Sequence, residues 1–158
     1  MPIVIDANTF AMVFDSNNAL HVEFSPVKEW IVRGDGFLLF GGTKFMEEMK
    51  QSRERLRLIR ELKDTGKAIE IITATVDELE AKILEKTSQT KCNDQHIIAL
   101  LAAARCDLLC SLDTDSFLFI KDKSLYPKGM RKVRIYSSSK NRELLKPAKK
   151  TKISNSKK

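Results

Sequence analysis

The sequence predicts an α/β fold with a central, mostly parallel sheet, and three observations predict it. Ile3-Val4-Ile5, Phe37-Leu38-Leu39-Phe40 and Leu108-Leu109-Cys110 are short, uniformly apolar runs. They lack the in-and-out alternation of a half-exposed strand, so they read as strands covered on both faces. The stretches between them place apolar residues at helical spacing, with charged residues on the opposite side. Those stretches are also long enough for the helical crossovers that parallel strands require. Alternating strands and helices imply βαβ units with right-handed connections and helices on both faces of the sheet.

Each element has its own signals. Pro2–Ile5 is the first strand, followed by a helical stretch around Phe10–Phe14 that ends at the turn-forming Asp15-Ser16-Asn17-Asn18. Ser25-Pro26 reads as an N-cap followed by a first-position proline, starting a helix that stops at Gly34. The second strand, Gly36–Phe40, leaves through a tight Gly41-Gly42 turn. Thr43 then caps the longest helix, over about residues 44–64, with Phe45, Met49, Leu56, Ile59 and Leu62 as its apolar stripe and Gly66 as its stop. Ala68–Ile72 is the third strand, and Thr75-Val76-Asp77-Glu78 fits a capping box for a helix to about Lys86. Asn93-Asp94 opens a helix to about Arg105. Leu108–Ser111 and Lys132–Tyr136 are the fourth and fifth strands, and the chain leaves the fold from Ser137.

At 158 residues the chain is one domain by size. Its 42% hydrophobic content is enough for a core. No apolar run approaches the roughly 20 residues of a membrane span, and the start lacks a basic-then-apolar leader, so the expected location is the cytoplasm. Cys92, Cys106 and Cys110 are odd in number and form no CxxC pair, which argues against a disulfide framework or a zinc site. Buried free thiols are expected instead. The net charge of +7 is unevenly placed. Residues 140–158 hold eight Lys and Arg against Glu143 alone, which leaves twenty side chains of each sign in residues 1–139. The expected division is therefore a folded domain over 1–139 and a basic, disordered tail over 140–158. Such a tail suits either salt-dependent contact with phosphates or solubility alone.

Acidic residues stand where the chain leaves these elements. Asp6 ends the first strand, Glu47 and Glu48 lie early in the long helix, Asp94 opens a helix, and Asp113 and Asp115 follow the fourth strand. In open parallel sheets, ligands bind beyond the carboxyl ends of strands, where the strand order reverses. That rule connects Asp6 with Asp113 across more than a hundred residues. Carboxylates are the usual ligands of hard divalent cations in phosphoryl chemistry. Taken singly, Asp94 also fits a helix N-cap, Glu47 and Glu48 a solvated face beside Lys44 and Lys50, and Asp113 and Asp115 a turn. His21 and His96 have no partner at ligand spacing, which favours structural readings for both; His96, two residues after Asp94, also suits a group that supports the site or an ordinary surface residue. Trp30 reads as a packing residue.

Four segments together resemble the motifs of PIN-domain ribonucleases, a family that includes VapC-type toxins. They are Val4-Ile5-Asp6-Ala7-Asn8-Thr9, Glu48-Met49, Asn93-Asp94 with Ile97-Ile98-Ala99-Leu100, and Ser111-Leu112-Asp113-Thr114-Asp115-Ser116-Phe117. The resemblance spans about residues 2–137. It implies a three-layer α/β/α fold and cleavage of RNA with Mg²⁺ or Mn²⁺. Asp6, Glu48, Asp94 and Asp113 would be the catalytic acids, with Asp6, Asp94 and Asp113 on the metal. Asn8, Thr9, Ser111, Asp115 and Glu47 would be auxiliary. RNA, an antitoxin protein and a second copy of the chain are the partners it implies. Adjacent helix positions point about 100° apart, so only one of Glu47 and Glu48 faces the site; Glu48, three residues beyond Phe45, is the choice. Two other classes compete. A phosphatase working through an aspartyl-phosphate would want an acid where Asn8 stands, and a nucleic-acid-binding module without catalysis would not need the acids.

Overall fold

The computed structural model describes residues 1–146; the rest of the basic tail lies outside the described residues. Strands β1 (Pro2–Ile5), β2 (Phe37–Phe40), β3 (Ala68–Glu70), β4 (Leu108–Cys110) and β5 (Arg134–Tyr136) form one sheet in the order β3-β2-β1-β4-β5. Every pairing is parallel, so the α/β expectation and its five strands hold. The helices are α1 (Phe10–Phe14), α2 (His21–Arg33), α3 (Thr43–Met49), α4 (Arg53–Asp64), α5 (Thr73–Lys86), α6 (Gln95–Ala104) and α7 (Phe117–Ile120). The chain steps one way from β1 to β3, then crosses back to β4 and β5. With right-handed crossovers these two directions put their helices on opposite faces of the sheet.

The core follows from the apolar runs. Ile3, Val4, Ile5, Leu38, Leu108 and Leu109 are buried, as strands covered on both faces must be. Helix α6 contributes an almost wholly apolar segment, with Ile97 through Ala102 all buried. Cys92, Cys106 and Cys110 are buried and free, as expected. Burial pushes the Cys106 thiol up to about 11, which keeps it protonated and unreactive. No described helix is long and apolar enough to cross a membrane.

Helix boundaries depart from the sequence reading in four places. The long helix is two: α3 ends at Met49 and α4 starts at Arg53, where the Ser52 hydroxyl accepts from the Arg55 N–H at 3.3 Å. Ser52 is the start signal that the continuous apolar stripe conceals. Helix α2 begins at His21, so Pro26 is interior and Ser25 caps nothing. Asx turns drive that early start: Asp15 accepts from the Asn17 N–H and Asn18 from the Leu20 N–H, each at 2.9 Å. Thr75 starts no capping box, because α5 already begins at Thr73. Asp77 instead reaches α3, accepting from the Thr43 N–H at 2.9 Å and the Thr43 hydroxyl at 2.6 Å. Thr43 is therefore capped rather than capping, and Gly42, at φ +91°, precedes it.

The fourth departure is at the end. The chain does not leave the fold at Ser137, nor at the expected boundary of 139. A 3-10 helix over Ser139–Leu145 follows a capping box made by Ser138 and Asn141, and Leu145 is buried. Tyr136 donates to the Glu23 carbonyl at 2.8 Å, and the Ser139 N–H and hydroxyl both donate to the Glu23 carboxylate at 2.9 Å. The basic composition of the segment hid two apolar anchors, Leu144 and Leu145, that seal the α2 side of β5.

Candidate active site

The strand order reverses between β1 and β4, and the carboxyl ends of these two neighbours form the floor of the site. Ile5 pairs with Cys110, and the Asp6 N–H donates to the Cys110 carbonyl at 3.0 Å. The residues that follow each strand therefore emerge side by side. A 3-10 turn over Ala7–Thr9 carries the chain away from β1. The Thr9 hydroxyl lies 2.7 Å from the Asp6 carbonyl and 3.2 Å from the Cys110 carbonyl, so it ties the two exits together through backbone. Thr9 thus fixes the position of Asp6. Asn8 is exposed and lines a small cavity of about 210 Å³ with Asp6, Met12, Leu112 and Asp113.

Ser111 connects the two loops. Its hydroxyl donates to Asp6 Oδ2 at 3.2 Å and accepts from the Asp113 N–H at 3.1 Å. Asp6 itself is only 8% exposed. Burial is the main reason its carboxyl stays above the usual carboxylate range. Hydrogen bonds from Ser111 and the Asn8 N–H pull it part of the way back, while the charge of Glu48 pushes it up and His96 draws it down.

Asp94 closes the site from the start of α6, where it makes no side-chain cap bond to the helix. Its carboxylate meets the Ser116 hydroxyl, which also lies 2.9 Å from Asp113 Oδ2. A serine hydroxyl has one hydrogen and can donate to only one of these carboxylates. The second contact becomes favourable when one acid holds a proton or when a cation neutralises the pair. The Asp94 carboxyl is accordingly raised, first by burial and then by the nearness of Asp113 and the charge of Asp6, against the opposing bond from Ser116.

Glu48 and Glu47 part as their spacing requires. Glu48 is half-buried and meets His96 Nε2 through Oε1 at 3.0 Å, and Arg55 Nη1 donates to its carbonyl at 2.7 Å. Glu47 is exposed, on the side of Glu80 and Lys44. Asp115 is exposed in the 3-10 turn Thr114–Ser116; with Lys91, Asn93, Asp113, Ser116 and Phe119 it lines a second cavity of about 540 Å³. The fold thus brings Asp6, Asp94, Asp113, Ser111 and Glu48 to one end of the sheet, with Asn8 and Asp115 at the rim.

No family model, curated protein or solved structure matches this chain.

Among the described residues, no three His, Cys, Asp or Glu side chains stand as a ready-made metal-binding group. The acids meet through the hydroxyls of Ser111 and Ser116 instead. The donor set is nevertheless all oxygen, as a hard divalent cation requires, and the raised carboxyls are relieved by positive charge. One member escaped the sequence reading and a second was left open. Ser116 lies within the fourth motif segment but was given no role there, because a serine after an acid is most often a turn residue. His96, on sequence grounds a supporting group or a surface residue, is 2% exposed, with Nε2 on Glu48 and, among the described residues, no partner for Nδ1. Its place two residues after Asp94 was the only available hint.

Proposed function

We propose that this protein is a metal-dependent endoribonuclease hydrolysing phosphodiester bonds in RNA. The observation that carries the reading is the meeting of Asp6, Asp94 and Asp113 at the switch point of the sheet, linked by Ser111 and Ser116. The sequence resemblance to PIN-domain ribonucleases supplies the substrate class. Asp6, Asp94 and Asp113 are the residues that would hold Mg²⁺ or Mn²⁺. Such an ion, when bound, supplies an activated water and offsets charge on the scissile phosphate.

The protein's own groups have separable tasks. Asp6 is the most enclosed acid, and Ser111 and the Asn8 N–H fix its carboxylate. Asp113 is open to solvent and stands between the two cavities, where a strand can reach it. Ser116 stands between Asp94 and Asp113 and sets their spacing, donating its one hydrogen to either carboxylate. Glu48, held by His96, adds a fourth negative charge near Asp6. A cluster this acidic repels a phosphodiester until cations screen it, so activity should depend on the divalent ion rather than be merely enhanced by it.

The test incubates a labelled RNA with the wild-type protein and with Asp6→Asn, each with and without Mn²⁺. Expected is Mn²⁺-dependent cleavage by the wild type and a loss on the order of 100-fold in the variant. Equal cleavage by both would refute the reading. A toxin role adds an antitoxin partner, which co-expression with the neighbouring reading frame would reveal as a stable complex. The second reading, a nucleic-acid-binding module without catalysis, draws on the way the acids meet through Ser111 and Ser116 rather than as a ready-made group of three ligands among the described residues. It predicts RNA binding with no Mn²⁺-dependent cleavage.

A further inference from the structure

The apparent neutrality of residues 1–139 conceals a segregation of charge. Residues 1–120 carry 14 basic and 19 acidic side chains, whereas residues 121–139 carry six basic and one acidic. That short segment covers the crossover from α7 to β5. Lys121, Lys123, Lys128, Arg131 and Lys132 are all exposed. The segment's one acid is used locally, since Asp122 accepts from the Ser124 N–H at 3.0 Å and the Ser124 hydroxyl at 2.7 Å. Asp107 pairs with Arg134 at 3.2 Å and stands 4.0 Å from Arg131. None of the four lysines has a carboxylate within 4.0 Å among the described residues.

The patch has shape as well as charge. Lys121, Lys132 and Arg134 line a groove of about 330 Å³ with Asn141, and among the described residues no carboxylate lines it. Helix α7 separates it from the acidic site. Asp113 lines both cavities at that site, the larger of which reaches Phe119 on α7. Lys121 ends the same helix, five residues after Ser116. At 1.5 Å per helical residue this is about 8 Å of rise.

We propose that this face is the track for the nucleic-acid strand: it leaves the acidic site along α7 and lays its phosphates on Lys121 and Lys132. The proposal deepens the nuclease reading and rests on it for the identity of the strand. Its physical logic is division of labour. The acidic end repels phosphate, so affinity has to come from cations placed beyond it, and their release of counterions makes that affinity salt-dependent.

The test separates binding from cleavage. Binding of a fluorescent single-stranded RNA 20-mer is measured in EDTA, using full-length Asp6→Asn as background, across a range of salt. Adding Lys121→Gln and Lys132→Gln should weaken binding about 25-fold at 0.1 M salt and lower the slope of log K against log salt by about 1.4, at 0.7 per phosphate contact. The control adds Lys28→Gln and Lys82→Gln, with the same change in net charge on α2 and α5, and should bind like the background. An unchanged slope in the Lys121/Lys132 variant, or an equal loss in the control, overturns the track. So does binding of the background protein to anionic lipid vesicles but not to RNA. Absence of Mn²⁺-dependent cleavage by the wild type, with the slope change intact, would sink the nuclease reading and leave the track standing.

Discussion

Asp77 and Asp94 are both aspartates beside a helix start, and each meets a hydroxyl, yet their carboxyls move in opposite directions. Asp77 accepts two hydrogen bonds from Thr43 alone, which hold its carboxyl below the ordinary value. Asp94 shares one hydroxyl with Asp113 and sits near Asp6, and burial among these acids holds it above that value. The first arrangement secures a helix end. The second keeps negative charges together at a cost, and a folded chain tolerates such a cost where a ligand relieves it. Sequence position does not separate the two acids; burial, and then the number of donors per carboxylate, does.

The sharpest way to break this contrast is Asp94→Asn. Under the nuclease reading, Mn²⁺-dependent cleavage should fall on the order of 100-fold, measured as initial rate on labelled RNA. The same variant should melt a few degrees higher than wild type at neutral pH without divalent ions. The sign follows from linkage. A raised native carboxyl keeps its proton above about 3.8, where the unfolded chain has lost it, so stability falls as pH rises through that window and the deficit remains at pH 7. Asparagine removes the deficit, and the difference in Tm should vanish near pH 3. Lower stability of Asp94→Asn at pH 7 would equate this acid with Asp77.

Asp77→Ala should do the reverse, lowering stability by about 1 kcal/mol, the usual loss for a helix cap, with cleavage changed less than twofold. Urea denaturation and the same cleavage assay measure both. Ser116→Ala sharpens the contrast from the hydroxyl side. Without the bridge, Asp94 and Asp113 face each other unscreened, so the variant should melt lower in EDTA and gain more in Tm from Mn²⁺ than the wild type. The smallest effect expected is that of Glu47→Gln. Its side chain is exposed beside Glu80, so cleavage should match wild type, whereas Glu48→Gln should be slower by tenfold or more.

The sheet was legible because each strand is an apolar run with no alternation, and two-faced burial leaves that mark. The helices were legible as elements but not at their ends. Ser52 breaks a stripe that Leu56, Ile59 and Leu62 continue in the sequence, and Thr43 is satisfied by a residue 34 positions away. Asp6 and Asp113 could be joined from sequence because one topological rule brings the exits of neighbouring strands together. Ser116 could not, and His96 only as one of two alternatives. Their roles depend on which side chain stands opposite in space, and a single Ser or His looks the same in a turn, a core or a site. The charge pattern was visible throughout, but summing it over 139 residues averaged an acidic region against a basic one.

The clasp at Glu23 links the two ends of the described chain in one event. Its carbonyl takes the Tyr136 hydroxyl and its carboxylate takes both donors of Ser139, while Leu145 closes the same flank. A truncation at residue 136 would therefore loosen α2 more than a hundred residues upstream. Hydrogen exchange should register this as matched protection of α2 and the β5 exit in the intact protein, and joint loss of it in the shortened one.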